Sequence, residues 1–180
     1  MPKIFICYRR EDTSGEAGRI YDRLAAHYGK EYLFIDVDTL EPGERFSEVV
    51  AKTVGSCEIL LALIGTRWLN ASDGEGRRRL DDPDDWVRLE IATALKRDIR
   101  VIPLLLNGAS FPGRSDLPKE LSDLAIRQAW DIGRVHFHRD VDALIQSLDR
   151  FLQSPQPPKI DAEKFTPLEE APTFFDITLR

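Results

Sequence analysis

Cysteine is scarce in this chain, with only Cys7 and Cys57 among 180 residues, each inside an apolar run. Two such residues make no disulfide framework, and both are read as reduced core thiols in a reducing compartment. Long apolar runs are missing too. The longest, Ile59 to Ile64, is strand-sized, far short of the roughly 18–20 apolar residues of a membrane span. Met1-Pro2-Lys3 leads straight into an apolar run, with no basic leader and small-residue cleavage site, so a cytoplasmic location is expected. An excess of positive charge is also absent, since 25 Lys and Arg face 31 Asp and Glu for a net −6. That balance argues against a nucleic-acid footprint. The one basic cluster, Arg77-Arg78-Arg79, is flanked by Asp73, Glu75, Asp81, Asp82, Asp84 and Asp85 and reads as a solvated loop. Histidine is rare as well. His136 and His138 stand two apart, like side chains of one strand face, and without a third ligand nearby they predict no metal site.

Several catalytic signatures are likewise missing. No GxGxxG follows the first apolar run, which argues against NAD as a bound redox cofactor, and no GxxxxGK[ST] cradles a phosphate. A phosphoacceptor receiver would need acidic residues after its first strand and an aspartate ending its third; here stand Tyr8-Arg9-Arg10 and Ile64-Gly65. GxSxG and a Cys/His pair in suitable context are absent.

What is present alternates between two periods. Lys3–Tyr8 is a near-continuous apolar run, as expected of a strand covered on both faces. Thr13-Ser14-Gly15 signals a helix start; Ala17, Ile20, Tyr21, Leu24 and Tyr28 follow at helical spacing, and Gly29 stops them. Tyr32–Val37 predicts a second strand, Asp38–Arg45 an exposed Pro-Gly loop, and Phe46 to Val54 a second helix. Cys57–Ile64, the most apolar strand, is placed centrally. The polar stretch Gly65–Asp84 is long for a connection, which makes it a candidate for binding or assembly. Asp84 or Asp85 can cap a third helix burying Val87, Ile91, Ala94 and Leu95. Arg100–Leu106 and Gln128–Ile132 predict two more strands, with a helical turn at Leu117-Pro118 between them and a last helix carrying Val141, Leu144, Ile145, Leu148, Phe151 and Leu152. Five βα units in this order imply an α/β parallel sheet with helices on both faces. Residues 1–152 are read as one domain and 153–180 as a Pro-rich linker and tail, with a further domain or activator as a possible partner beyond it. No internal repeat is visible.

Four strings in register on that pattern resemble the Toll/interleukin-1 receptor (TIR) family. They are Phe5–Arg10 (FICYRR), Phe34–Asp38 (FIDVD), Leu40–Gly43 (LEPG) and Asp85–Ile91 (DWVRLEI). They look closest to its bacterial, NAD-cleaving members and to the animal NAD hydrolase of axon degeneration. The resemblance covers about Lys3 to Leu152 and implies a flavodoxin-like five-stranded sheet of order 2-1-3-4-5. In that order the two thiols fall at opposite ends of neighbouring strands, and the ligand crevice opens where strand order reverses, between strands one and three.

The family likeness further implies cleavage of the nicotinamide–ribose bond of NAD+, which is a substrate here, with no cofactor. Glu90 would be the catalytic carboxylate. Trp86, four residues earlier on the same helix face, would stack on or shield a ring. Arg9 would neutralise the pyrophosphate, although Asp36 or Asp85 could instead hold it as an ordinary bridge. Tyr8 and Arg10 leave the first strand into the same opening, and Asp36 and Leu40 belong to the loop that gates it and mediates TIR–TIR assembly. Trp68 and Trp130 are read as packing residues. Two other functions stand beside the enzyme. One is a non-enzymatic TIR–TIR adaptor, which would have no need of Glu90; the other is a nucleoside-type transferase using the same crevice.

Overall fold

A computed structural model describes residues 3–35 and 46–153. Five strands, β1 (Ile4–Cys7), β2 (Leu33–Ile35), β3 (Ile59–Ile64), β4 (Arg100–Leu106) and β5 (Trp130–Ile132), form one sheet in the order 2-1-3-4-5. All four pairings are parallel: Ile4 stands opposite both Leu33 and Ile59, Ile59 opposite Arg100, and Leu104 opposite Trp130. This is the order and direction expected from the sequence. β5 is shorter than its apolar string suggested, while the end of the second string, Asp36 and Val37, lies outside the described residues.

Period-two alternation gives the sheet two cores. Phe5, Cys7, Leu60, Ala62 and Ile64 face α2 (Phe46–Gly55) and α3 (Trp86–Lys96), which bring Val50, Val54, Val87, Ile91 and Ala94. Ile4, Ile6, Leu61 and Leu63 face α1 (Arg10–Tyr28) and α4 (Phe137–Gln153), which bring Ala17, Ile20, Leu24, Val141, Leu144 and Leu148. β3 is buried along its whole length, as its composition required. Leu95 packs only partly buried at the edge of the first core. Tyr28 ties α1 to α4 by donating to Asp149 Oδ1 at 2.8 Å.

Helix starts were less legible. α1 begins three residues before Thr13-Ser14-Gly15, because the Arg9 carbonyl accepts from both Asp12 N and Thr13 N. Thr13 itself departs from helical geometry (φ −136°, ψ 23°), so the regular helix still starts where the Thr-Ser-Gly signal stands. His136 and His138 flank the first residue of α4 and share no strand face. The strand-face reading of that pair is corrected: β5 has ended at Ile132, and Gly133 N donates to Asp140 Oδ2 to turn the chain into α4.

The carboxyl end of β3 runs very close to the first turn of α1. A methyl group on Gly65 would stand 2.4 Å from Asp12 Oδ2 and 2.5 Å from Thr13 Cγ2. Neither atom can retreat, since Asp12 is held by the Arg67 amide (3.0 Å to Oδ1) and Thr13 is buried. Gly65→Ala is expected to lower unfolding stability by about 1–3 kcal/mol through overpacking, measurable by urea denaturation. An unchanged midpoint would mean that α1's first turn yields freely.

Candidate functional site

The opening between β1 and β3 is bounded by three segments. β1 ends at Cys7 and delivers Tyr8, Arg9 and Arg10; α3 starts at Trp86; and the connection 65–84 between β3 and α3 contributes Arg79. That connection is pinned, with Trp68 and Leu80 both fully buried. Its polar tip is closed by Asp73, whose Oδ1 accepts from Glu75 N and Arg77 N at 2.9 Å each.

Within this opening lies a pocket of about 360 Å³ lined by Ile6, Tyr8, Arg9, Arg10, Glu11, Arg79, Asp85, Trp86, Val87 and Glu90. Three cations and three carboxylates therefore share one wall. A second hollow of about 440 Å³ shares Arg9, Glu11 and Arg79 with it and adds polar groups from Asp12, Arg67 and Asn70. The carboxyl ends of the strands at the switch point thus hold the cavity, where an open parallel sheet places its ligands.

Glu90 is 6% exposed and Trp86 38% exposed. The four-residue spacing puts both on the pocket side of α3, with Ile91 and Ala94 turned into the core. Asp85 caps the helix, accepting from Arg88 N at 3.0 Å, so that the second of the two candidate aspartates is the one used. Arg9 is 3% exposed. Its Nη1 donates to Asp85 Oδ2 at 2.8 Å and its Nη2 to Asp85 Oδ1 at 2.9 Å. Of the two bridging partners considered for Arg9, Asp85 is engaged, and the pair is buried instead of lying at the surface.

The Cys7 thiol sits beneath this cluster. Burial raises its pKa well above the ordinary 9.0, and the charge of Glu90, to which the thiol hydrogen-bonds, raises it further. Cys57 lies at the other end of the neighbouring strand, pushed up to about 11, chiefly by burial. Both thiols are free. Raised values mean less thiolate at any pH below them, and thiolate is the reactive form. In the native protein at pH 8, iodoacetamide should label neither thiol over the time in which it labels both after unfolding, as read by intact mass. Rapid native labelling of Cys7 would show that the pocket floor is open.

The TIR domain family model matches residues 4–151. The chain belongs to the TIR domain family. Among curated proteins it is similar to NAD(+) hydrolase sarm1 of Drosophila melanogaster, at 26% identity over 152 residues, covering 83% of this chain and 10% of that protein. The chain thus spans about a tenth of that relative's length. Among solved structures it is similar to the TIR domains of the activated Roq1 resistosome directly recognizing the pathogen effector XopQ. There the TM-score is 0.57 at 15% identity, with 84% of this chain and 99% of that one covered, a likeness of fold.

For this TIR domain, the structure brings Tyr8, Arg9, Arg10, Trp86 and Glu90 together on one pocket. Asp36 and Leu40 lie outside the described residues, as does the segment 154–180. Among the described residues, no helix is long and apolar enough to cross a membrane. Three charged pocket residues, Glu11, Arg79 and Asp85, were not among the site residues expected from the sequence. Asp85 was noted only as a cap or a bridge. Arg79 was folded into the solvated basic cluster, and for it that reading is corrected. Arg77 and Arg78 do pair locally, with Asp73 and Asp81, whereas Arg79 reaches into the pocket and donates to Glu11 Oε1 at 2.8 Å. Glu11 is held below the usual carboxylate range, first by a backbone N–H and then by Arg79. The signal was available in hindsight: Leu80 is the one apolar residue in that polar stretch's second half, and its burial turns its neighbour inward.

Proposed function

We propose that this TIR domain cleaves the nicotinamide–ribose bond of NAD+, giving nicotinamide and ADP-ribose or a cyclic isomer of it, with Glu90 as the catalytic carboxylate. The observation that carries this reading is a nearly buried glutamate in the wall of a charged pocket, one helical turn from an aromatic ring at its mouth. The similarity to a protein named as an NAD(+) hydrolase supports it.

The chemistry asks for that arrangement. As the bond breaks, its electron pair leaves with nicotinamide, which departs neutral, and positive charge develops on the ribose. A carboxylate fixed beside the ribose favours that charge, as in glycoside hydrolysis. Water then takes the place of nicotinamide and gives up a proton. Trp86 shields or stacks on a ring of the substrate, while Tyr8 and Arg10 frame the opening. Arg10 and Arg79 carry the more exposed positive charge facing the pyrophosphate, and Arg9 stands behind them with its fork on Asp85. Asp36 and Leu40 gate entry, NAD+ is substrate, and no cofactor is required.

Activation by assembly in a cytoplasmic, bacterial defence setting completes the proposal. The likeness to TIR domains of a resistosome is in keeping with TIR–TIR contact. A net charge of −6 opposes spontaneous self-association, so an activator or an adjoining domain would drive it. The direct test is incubation of concentrated domain with NAD+ and chromatography of the products. Nicotinamide with ADP-ribose or its cyclic isomer is expected. No nicotinamide, even under crowding or templated assembly, would leave the adaptor reading. A transferred base in place of these products would indicate a nucleoside transferase.

A further inference from the structure

The bridge between Arg9 and Asp85 joins parts of the chain 76 residues apart, one just past β1 and the other at the N-cap of α3. Both side chains are almost wholly out of water, at 2% and 4% exposure. An exposed pair of this kind contributes little, and a buried one is weak evidence for stability, because desolvation offsets the attraction. What a two-point Arg–carboxylate contact does supply is geometry. The planar fork fixes distance and orientation together.

Asp85 Oδ1 has two duties. It accepts from Arg9 Nη2 at 2.9 Å and from Arg88 N at 3.0 Å. Thus the same carboxylate that meets β1's exit also starts α3, and the helix cannot shift without disturbing the bridge. Glu90 follows five residues on, about 7.5 Å along the axis at 1.5 Å per residue. A guanidinium enclosed this way, with each outer nitrogen already on a carboxylate oxygen, is poorly placed to bind a phosphate as well. Arg79, a third exposed and with Nε 3.8 Å from Asp85 Oδ2, and the exposed Arg10 are the cations open to the cavity.

Building on the NAD+-cleaving reading above, we propose that Asp85 is a positioning residue, which through its grip on Arg9 and its cap on α3 sets where Glu90 stands in the pocket. Arg9 acts through Asp85 and not on the substrate's pyrophosphate.

Arg9→Lys and Asp85→Asn test this in the whole chain. Lysine keeps the charge and loses the fork; asparagine keeps a capping oxygen and loses the charge. Each is expected to lower kcat for nicotinamide release by about a hundredfold, the scale of a 1 Å misplacement, with KM within about twofold of the parent. The double variant should be no slower than either single one, since both break one contact. Amide exchange gives a second readout that needs no turnover. The Leu89 amide, bonded to Asp85 O at 2.9 Å, should exchange about tenfold faster in Arg9→Lys, with amides of β4 unchanged.

A rise in KM of tenfold or more with kcat retained in Arg9→Lys would make Arg9 a substrate ligand and overturn the proposal. Unchanged exchange at Leu89 would overturn it too. Absence of nicotinamide release from the parent protein would remove the enzymatic reading instead, and exchange alone would then decide whether the bridge seats α3. If Asp85→Asn does not fold, Arg9→Lys, which leaves the cap intact, carries both readouts.

Discussion

Glu90→Gln is expected to release no measurable nicotinamide from NAD+, at protein concentrations where the parent turns over, while melting at the parent temperature or above. Glutamine fills the same space and retains an acceptor oxygen, so it removes charge and little else. A preorganised electrostatic group facing a developing charge contributes about 3–4 kcal/mol, or a factor of 10²–10³ in rate. Glu90 is only 6% exposed, where water screens the interaction little, so the upper part of that range applies. Removal of a nearly buried charge leaves no cavity, which is why no loss of stability is expected. The measurement is product chromatography alongside a thermal melt. Equal rates from the two proteins would take Glu90 out of the mechanism; a large fall in melting temperature would make it a structural residue.

Trp68→Ala carries the largest expected effect on stability. The ring is fully buried among the residues that pack α2 and α3 on the sheet. Truncating a buried tryptophan costs about 3–5 kcal/mol, a large share of the roughly 5–15 kcal/mol that a domain possesses. The melting temperature should fall by about 10 °C or more. Trp68→Phe should cost far less, because Trp68 Nε1 is buried with no hydrogen-bond partner among the described residues, so that its loss forfeits no bond to them. Equal losses in the two variants would show that the indole nitrogen has a partner, a bound water for instance. Since Trp68 anchors the connection that presents Arg79, partial loosening in Trp68→Phe should raise KM for NAD+ before it lowers stability.

The sheet could be read from the chain because its signals are local. Five apolar strings, separated by helical periods and stopped by Gly29 and Gly55, leave few topologies, and the resemblance of four strings selects the order found. The pocket's position followed from that order alone. Lost were the features that depend on distant partners. Nothing near Asp85 reveals that its carboxylate meets a guanidinium 76 residues earlier, and a cap and a bridge look identical in sequence. Arg79 was hidden by its neighbours, since charge counting averages three arginines that point three ways. His136 and His138 were misplaced because a two-residue spacing fits a strand, while the Asp140 contact that turns the chain is a property of the fold. Glu90 was singled out through its motif, whereas its depth of burial came from the packing of α3 against β1.

One strand has a bearing on how the polypeptide emerges from the ribosome. Ile59–Ile64 is six consecutive uncharged apolar residues, shielded in the finished molecule by β1 on one flank and β4 on the other. Such a string, if left open, is a template for pairing between copies. β1 precedes it, whereas Arg100, the first residue of β4, is added thirty-six positions after Ile64. At about 5–20 residues per second, one flank stays uncovered for roughly two to seven seconds in every round of translation. Yield in a heterologous host should therefore depend on growth temperature and chaperone supply more steeply than the stability of the folded domain would suggest.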